Sequence, residues 1–407
     1  MKYHPVNSLN VFLDCNNNPQ KLGRLALANR RIYFEYAPEF IKTKIEISPF
    51  KLPLQIGAIP CENLVFEGLF GVFNDSLPDG WGRLLLDRQV RQNGIMPEQL
   101  TPLDRLAQVG KHGMGALVYE PYNSTHTLPE PINLDKLAQT SKAVLAGAPE
   151  ALFDELLDLS GSSAGARPKI MVGISSNKKH FISGNNNLPN NYEHWMIKFA
   201  SSNDPQDIGA IEYAYSLMAK AAGLEMMPTH LFISPQGAGY FGVQRFDRNQ
   251  KQRVHIHTIA GLINADHRLP SLDYEQIMRA TLALTHNIQE LEKIFRLATF
   301  NVFAHNRDDH AKNFSFLMSA EGNWQCAPAY DLTFSNGPGG EHCTTIMGEG
   351  KNPTHAHLLK LAEKFGVFSA QKIIDEVISS INNWAEFADM AGVSDLSKNL
   401  VAKVICS

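Results

Sequence analysis

The sequence predicts an α+β fold in two lobes: a mixed α/β N-terminal part, made of small antiparallel sheets plus helices, and an all-helical C-terminal part. Two patterns carry this. Up to about Val254, short runs of β-branched and aromatic residues alternate with turn signals and a few helical stretches. Beyond it, apolar residues recur every three to four positions in one segment after another. A length of 407 residues allows more than one hydrophobic core. The expected division is 1–125 as an N-terminal α/β subdomain, 134–245 as a second α/β lobe and 246–407 as the helical lobe.

Composition narrows the function classes. A net charge of −4 gives no general electrostatic footprint for nucleic acid or a membrane surface, so any DNA contact is expected to be local or borrowed from a partner. No run approaches 18 apolar residues, and the opening Met1-Lys2-Tyr3-His4-Pro5 lacks the apolar stretch of a leader, so the expected location is cytoplasmic. Five scattered cysteines, never in C-x-x-C spacing, read as reduced thiols.

From Leu9 to about Ile56, runs such as Val11-Phe12-Leu13 and Ile32-Tyr33-Phe34-Glu35-Tyr36 are separated by turn residues, as in a small antiparallel sheet. Phe73 to Arg83 is a turn opening a helix through Leu84, Leu85 and Val90. Leu103–Val109 is a short helix broken by Gly110, Gly113 and Gly115 before the strand Ala116–Tyr119. The Pro-, Ser- and Thr-rich stretch 120–133 reads as a linker. Helices at Leu134–Leu145 and Pro149–Leu159 follow, and the small residues of Ser160–Lys169 lead into the strand Ile170–Ile174. Such a run lets backbone N–H groups approach a phosphate, though neither G-x-x-x-x-G-K-[ST] nor G-x-G-x-x-G is present, and taken by itself the run reads better as a flexible connector.

Glu193–Phe199 is a strand interrupted by one cation, Lys198, and a helix beginning at Ile211 places Glu212 in its first turn as a natural partner. A hairpin at 228–243 runs into Gln244-Arg245-Phe246-Asp247-Arg248. The helical part then comprises Thr258–Leu262, Asp273–Leu284, Asn287–Ala304 with a capping box completed by Glu290, Thr354–Phe365, Ala370–Ile381, Trp384–Met390 and Leu396–Val404. Between them, the Gly-rich Ser335–Gly350 reads as a mobile flap.

The chemistry concentrates at His305-Asn306-Arg307-Asp308-Asp309-His310-Ala311-Lys312-Asn313, a loop between the helix ending near Ala304 and the strand Phe314–Met318. Arg307, Asp308 and Asn313 reproduce the R-D-x-x-x-x-N spacing of a protein-kinase catalytic loop, and Asp331 follows a further strand. Phosphoryl transfer needs one carboxylate at the hydroxyl nucleophile and oxygen ligands for Mg²⁺. Asp308 suits the first task, Asn313 and Asp331 the second. Competing readings are a solvated turn, a mononuclear metal site from His305, Asp308, Asp309 and His310, or metal binding at the His255/His257 and His355/His357 pairs.

Strand Lys, helix Glu, catalytic loop and late Asp occur in kinase order. With FNDSLPDGWGR (73–83), LAQVGKHGMG (106–115), SSAGARPK (162–169), WMIKF (195–199), VQRFDR (243–248), DDHAKNF (308–314) and APAYDL (327–332), the chain resembles the HipA-type serine/threonine kinase toxins of bacterial type II toxin–antitoxin modules. The resemblance implies a two-lobed kinase-like fold and a Mg²⁺- and ATP-dependent activity. Asp308 is then the catalytic base, and Asn313 and Asp331 bind Mg²⁺. Lys198 contacts the phosphates, Gln244 and Phe246 flank adenine, and His310 and Tyr330 lie near the nucleotide. The loop Ala164, Gly165, Ala166 to Lys169 covers the phosphates. The resemblance also implies autophosphorylation at Ser162 or its neighbour Ser163, silencing the kinase. Where Gln244 stands, an acidic residue is common, which leaves the adenine contact here to backbone groups. The implied partners are a small HipB-like helix-turn-helix antitoxin, which alone contacts DNA, and a protein substrate such as an aminoacyl-tRNA synthetase. The alternatives are a catalytically silent binding protein acting as co-repressor, and a small-molecule phosphotransferase.

Overall fold

In a computed structural model of the chain, the alternation of Leu9, Val11 and Leu13 with Ser8, Asn10 and Phe12 becomes the strand Ser8–Leu13, in which Leu9, Val11 and Leu13 are buried and the residues between them only partly so. The structure describes residues 5–15, 17–122, 132–148, 153–161, 165–184, 188–249 and 252–406. They form two compact units, one of Met1–Asn203, Gln244–His257 and Leu317–Asn323, the other of Asp204–Val243, Thr258–Phe316 and Trp324–Ser407.

Ser8–Leu13 is part of a five-stranded antiparallel sheet of the first unit. Its order is Ala58–Pro60, Arg31–Tyr36, Gln20–Ala28, Ser8–Leu13 and Leu117–Glu120. Ala28 pairs with Arg31 across a two-residue turn, Asn29-Arg30, with both residues at positive φ, the geometry that matches strand twist. A T-shaped and tilted aromatic cluster of Phe34, Tyr36, Phe70 and Phe73 fills one face. The expected linker falls mostly on residues 123–131, outside the described residues.

The other sheet of this unit pairs Lys169–Ser175 with Phe181–Ser183 on one side and with Tyr192–Lys198 on the other. Lys169–Ser175 is buried along its whole length, which explains its nearly unbroken apolar run. The Arg-Phe-Asp-Arg segment closes an ionic cluster. Asp247, fully buried, accepts from Arg245 at 2.8 and 2.7 Å and from the Gly115 amide at 2.9 Å. Arg253 donates to the carbonyls of Lys111, Gly113 and Gly115. Burial alone would raise the Asp247 carboxyl, but Arg245 and Arg248 outweigh it and hold it far below the usual carboxylate range. This cluster folds the glycine-broken loop after Val109.

His255 and His257 are internal posts. His255 Nε2 donates to the Ile47 carbonyl at 3.0 Å, and His257 bridges Ser48 Oγ (2.9 Å) and Asp75 Oδ2 (2.7 Å). Both ring nitrogens of His257 and Nε2 of His255 are engaged by protein groups, and among the described residues no group of three His, Cys, Asp or Glu side chains could hold a metal here. His355 and His357 are likewise committed, to Gln371 and to Thr354.

In the second unit the helix Ile208–Ala221 starts earlier than expected, so Glu212 lies in its second turn, buried, rather than in its first. Tyr215 from this helix packs edge-on against Phe300 and Trp384. Its hydroxyl donates to the Ala304 carbonyl at 2.7 Å and satisfies the end of the helix Ile288–Phe303. Asn287 caps that helix through Gln289 N, but Glu290 does not complete a capping box. Its carboxylate turns inward and accepts from Cys326 N at 2.6 Å, tying the strand Trp324–Cys326 to the helix. The helices His355–Phe365, Ala370–Asn382, Trp384–Ala391 and Asp395–Ile405 complete a mainly helical unit in which two- to four-residue strands flank the loop after Ala304. All five cysteines are free, and among the described residues no helix is long and apolar enough to cross a membrane.

Burial, then the neighbouring His257, hold the His255 ring down to about 4 from the ordinary 6.5. Burial, then Arg245 and Arg248, hold His194 down to about 3. The unfolded chain takes up these protons near pH 6.5 while the folded chain refuses them, so stability is full above 6.5 and falls as pH drops toward 4. Urea unfolding is expected to show a loss on the order of 2–3 kcal/mol from His255 alone between pH 7 and 4.5. His255→Gln should flatten that dependence, and an unchanged slope would contradict the assignment.

Candidate active site

A carboxylate shut away from water must be surrounded by donors. Two adjacent acids in the loop meet opposite fates. Asp309 has no exposed surface, whereas Asp308 is exposed. Asp309 Oδ2 accepts from Tyr274 Oη (3.1 Å) and lies 2.9 Å from His342 Nδ1, and its Oδ1 accepts from Thr344 N (3.1 Å). The Thr344 hydroxyl donates to the Asp309 carbonyl. Behind Tyr274, Asn301 donates to Tyr274 Oη at 2.9 Å, and Asn306 donates to Asn301 Oδ1 at 2.8 Å. The loop is thereby locked to the helix Tyr274–Thr285 and to the end of the helix Ile288–Phe303.

The expected mobile flap is instead tied down where it follows Asp331. Ser335 exchanges backbone bonds with His305 and Arg307, Cys343 N donates to Arg307 O at 3.1 Å, and Leu272-Asp273 pair with Thr344-Thr345 as parallel strands. The Arg307 guanidinium donates to the carbonyls of Gly340 and Lys351. Gly337 adopts φ +68 with its ideal Cβ position 2.0 Å from Glu341 O, so no larger residue fits there.

On the outer side of the loop, Asn313 Nδ2 donates to the Asp308 carbonyl at 2.8 Å, which turns the amide oxygen away as the group available to a cation. The Cys343 thiol lies 3.9 Å from Asp308 Oδ1. Burial, then Asp308 and Asp309, push this thiol up to about 12, so at neutral pH it is a neutral S–H beside the carboxylate. His310 caps the short 3₁₀ turn Ala311–Asn313, accepting from Lys312 N. Tyr330 Oη pairs with Ser315 Oγ at 2.6 Å and donates to the Lys312 carbonyl, so it braces the loop from below. Asp331, next in sequence, adopts a left-handed φ of +56, a conformation in which a non-glycine residue is held only by its surroundings. Asp308, His310, Asn313, Tyr330 and Asp331 therefore belong to one unit and one framework.

The remaining expected residues, Glu212 apart, lie in the first unit. Lys169 and Lys198 stand directly opposite each other on paired strands, both buried. Gly165 and Ala166 begin the described part of the small-residue loop, while Ser162, Ser163 and Ala164 lie outside the described residues. Gln244 and Phe246 are half-buried around Arg245, whose amide donates to His194 O. Glu212 belongs to the second unit.

Sequence reasoning missed the residues that hold the loop. Asp309 was weighed as a metal ligand, but its carboxylate is spent on internal donors. Among the described residues no group of three or more His, Cys, Asp and Glu side chains could hold a metal ion. Tyr274, His342 and Thr344 come from segments far from the loop in sequence, so spacing gave no signal. An amide oxygen, a carboxylate and the phosphates of a nucleotide form the hard-oxygen set that Mg²⁺ prefers, so Asn313 and Asp331 fit that ion.

With this geometry in place, the comparisons are informative. A model of the HipA-like C-terminal domain matches residues 161–385, more than half of the chain, and one of the HipA N-terminal domain matches 10–120. A protein of Haemophilus influenzae described as "Putative kinase" is 28% identical over 186 residues, covering 42% of this chain and 52% of that protein. The chain thus spans about half the length of this curated relative. Among solved structures, a chain of the Shewanella oneidensis MR-1 toxin–antitoxin complex of HipA, HipB and operator DNA superposes with a TM-score of 0.69. It does so at 17% identity over 98% of this chain and 95% of that one, which establishes a shared fold.

Asp309→Ala is expected to cost about 3–5 kcal/mol of stability, because buried donors are left without their acceptor. Tyr274→Phe, which removes only the hydroxyl bridge, is expected to cost about 1–2 kcal/mol. Denaturant midpoints for the two variants check this, and an Asp309→Ala midpoint equal to that of the unaltered chain would exclude the network as a support.

Proposed function

The chain belongs to the HipA-like family, and from that premise we propose that it is a Mg²⁺- and ATP-dependent serine/threonine protein kinase of the toxin type. The observation that carries the reading is the divided fate of the two acids, one consumed inside the loop and one presented outside it beside Asn313.

In this reading Asp308 accepts the proton of the substrate hydroxyl as it attacks. Asn313 Oδ1 and the Asp331 carboxylate would hold Mg²⁺, and the left-handed φ at Asp331 is consistent with a residue kept for a task. Lys198 neutralises phosphate charge, helped by Lys169 across the strand pair. Ala164, Gly165 and Ala166 cover the phosphates with backbone N–H groups. Gln244 and Phe246 receive adenine, and His310 and Tyr330 keep the loop in shape beside the nucleotide. MgATP, when bound, would supply the phosphoryl group, with the charge that develops on it offset by the Mg²⁺.

The same premise assigns the regulation and the partners. Phosphorylation of Ser162 or Ser163 would place nearly two negative charges against the Lys169 loop and oppose ATP binding. A small DNA-binding antitoxin of the HipB kind is the expected protein partner, and the solved HipA–HipB–DNA relative supports that assignment. The substrate we infer is a cytoplasmic translation component of the aminoacyl-tRNA synthetase type.

Incorporation of labelled phosphate from ATP into the chain and into a synthetase panel tests this. Asp308→Ala should lower transfer at least a hundredfold, the scale of a lost general base, while MgATP binding persists. Asn313→Ala and Asp331→Ala should each raise the Mg²⁺ concentration needed for half-maximal binding of ATP. No incorporation by the unaltered chain would favour the non-catalytic co-repressor instead.

A further inference from the structure

The helix Gly80–Gln92 begins with an aspartate that does not cap it. Asp79 sits at the N-cap in extended conformation, where a carboxylate ordinarily accepts from the first-turn amides, yet it makes no capping bond. Its Oδ1 accepts instead from the Gly165 amide. The other side of the same residue is also held, because Trp81 N donates to Gly165 O at 3.0 Å. The Trp81 indole donates to Ser160 Oγ at 3.1 Å, and Ser160 Oγ reaches the Lys169 carbonyl at 3.3 Å. Residues 160, 165 and 169 are therefore fastened to the Asp79-Gly80-Trp81 turn.

Two glycines make the approach feasible. A Cβ on Gly80 would stand 2.5 Å from Gly165 O and 2.8 Å from Ala166 Cα, and one on Gly165, at φ +99, would stand 2.5 Å from Lys169 Nζ. The fastening joins the part matched by the HipA N-terminal domain, 10–120, to the part matched by the C-terminal domain, 161–385.

We propose that Asp79 is a positioning residue for the phosphate-covering segment: its carboxylate, with the Trp81 amide, clasps Gly165 and sets Gly165–Lys169 in the conformation that receives ATP. The N-terminal part thereby controls nucleotide affinity within one chain. The clasp itself rests on geometry; its effect on ATP rests on the kinase reading proposed above.

The test combines hydrogen–deuterium exchange over 165–169 with MgATP titration, for the unaltered chain, Asp79→Ala and Asp79→Asn. Asp79→Ala is expected to speed exchange at Gly165 about tenfold, the scale of one charge-assisted hydrogen bond. It should also raise the KM for ATP several-fold with a smaller change in kcat. Asp79→Asn keeps an oxygen acceptor and should stay near the unaltered values. Exchange along Ile170–Ile174 should not move, which separates loss of the clasp from general unfolding. Unchanged exchange at Gly165 in Asp79→Ala, or tighter ATP binding, would overturn the proposal. If the unaltered chain binds no MgATP, the kinase reading fails, while the exchange data still decide the clasp.

Discussion

The loop from His305 to Asn313 depends on the desolvation of one carboxylate. A charged group with no exposed surface is tolerated only where donors converge on it, and Asp309 draws them from Tyr274, His342 and Thr344. Those donors come from a helix and from the glycine-rich segment after Asp331, so satisfying one charge fixes three pieces of backbone at once. Asp308 is left facing outward as a consequence of sequence adjacency. Rigid support below and a single exposed acid above is the arrangement general-base chemistry requires, since a misplaced base loses most of its effect.

The first unit solves a comparable problem with charge pairs. Asp247 with Arg245 and Arg248, and Arg253 with a ring of carbonyls, hold an irregular glycine-containing loop that backbone bonds alone could not stabilise. Lys169 and Lys198 differ in kind. They stand opposite each other on paired regular strands.

Much of this was legible in the sequence where the signal is local. The strand runs, the helices after Asp273, and the Asp308 to Asn313 spacing all depend on neighbours within a few residues. Three features were not legible. Glu290 has the spacing of a capping box, but a buried amide at Cys326 competes for it and wins. The glycines of 335–350 suggested mobility, yet their positive φ values shape a segment stitched to residues 305–309. Asp309 was weighed as a metal ligand, because nothing within ten residues reveals that its partners lie at 274, 342 and 344. In each case a long-range polar contact, invisible to periodicity, decided the outcome.

The claim at the centre is a division of labour among neighbouring oxygens: Asp309 for structure, Asp308 for the proton, Asn313 and Asp331 for the metal. A crystal structure with Mg²⁺ and a non-hydrolysable ATP analogue measures this directly. The account predicts the ion coordinated by Asn313 Oδ1 and the Asp331 carboxylate, with Asp308 unligated and Asp309 still bonded to Tyr274 and Thr344. Magnesium seated on Asp309, or a nucleotide bound away from Asn313 and Asp331, would contradict it.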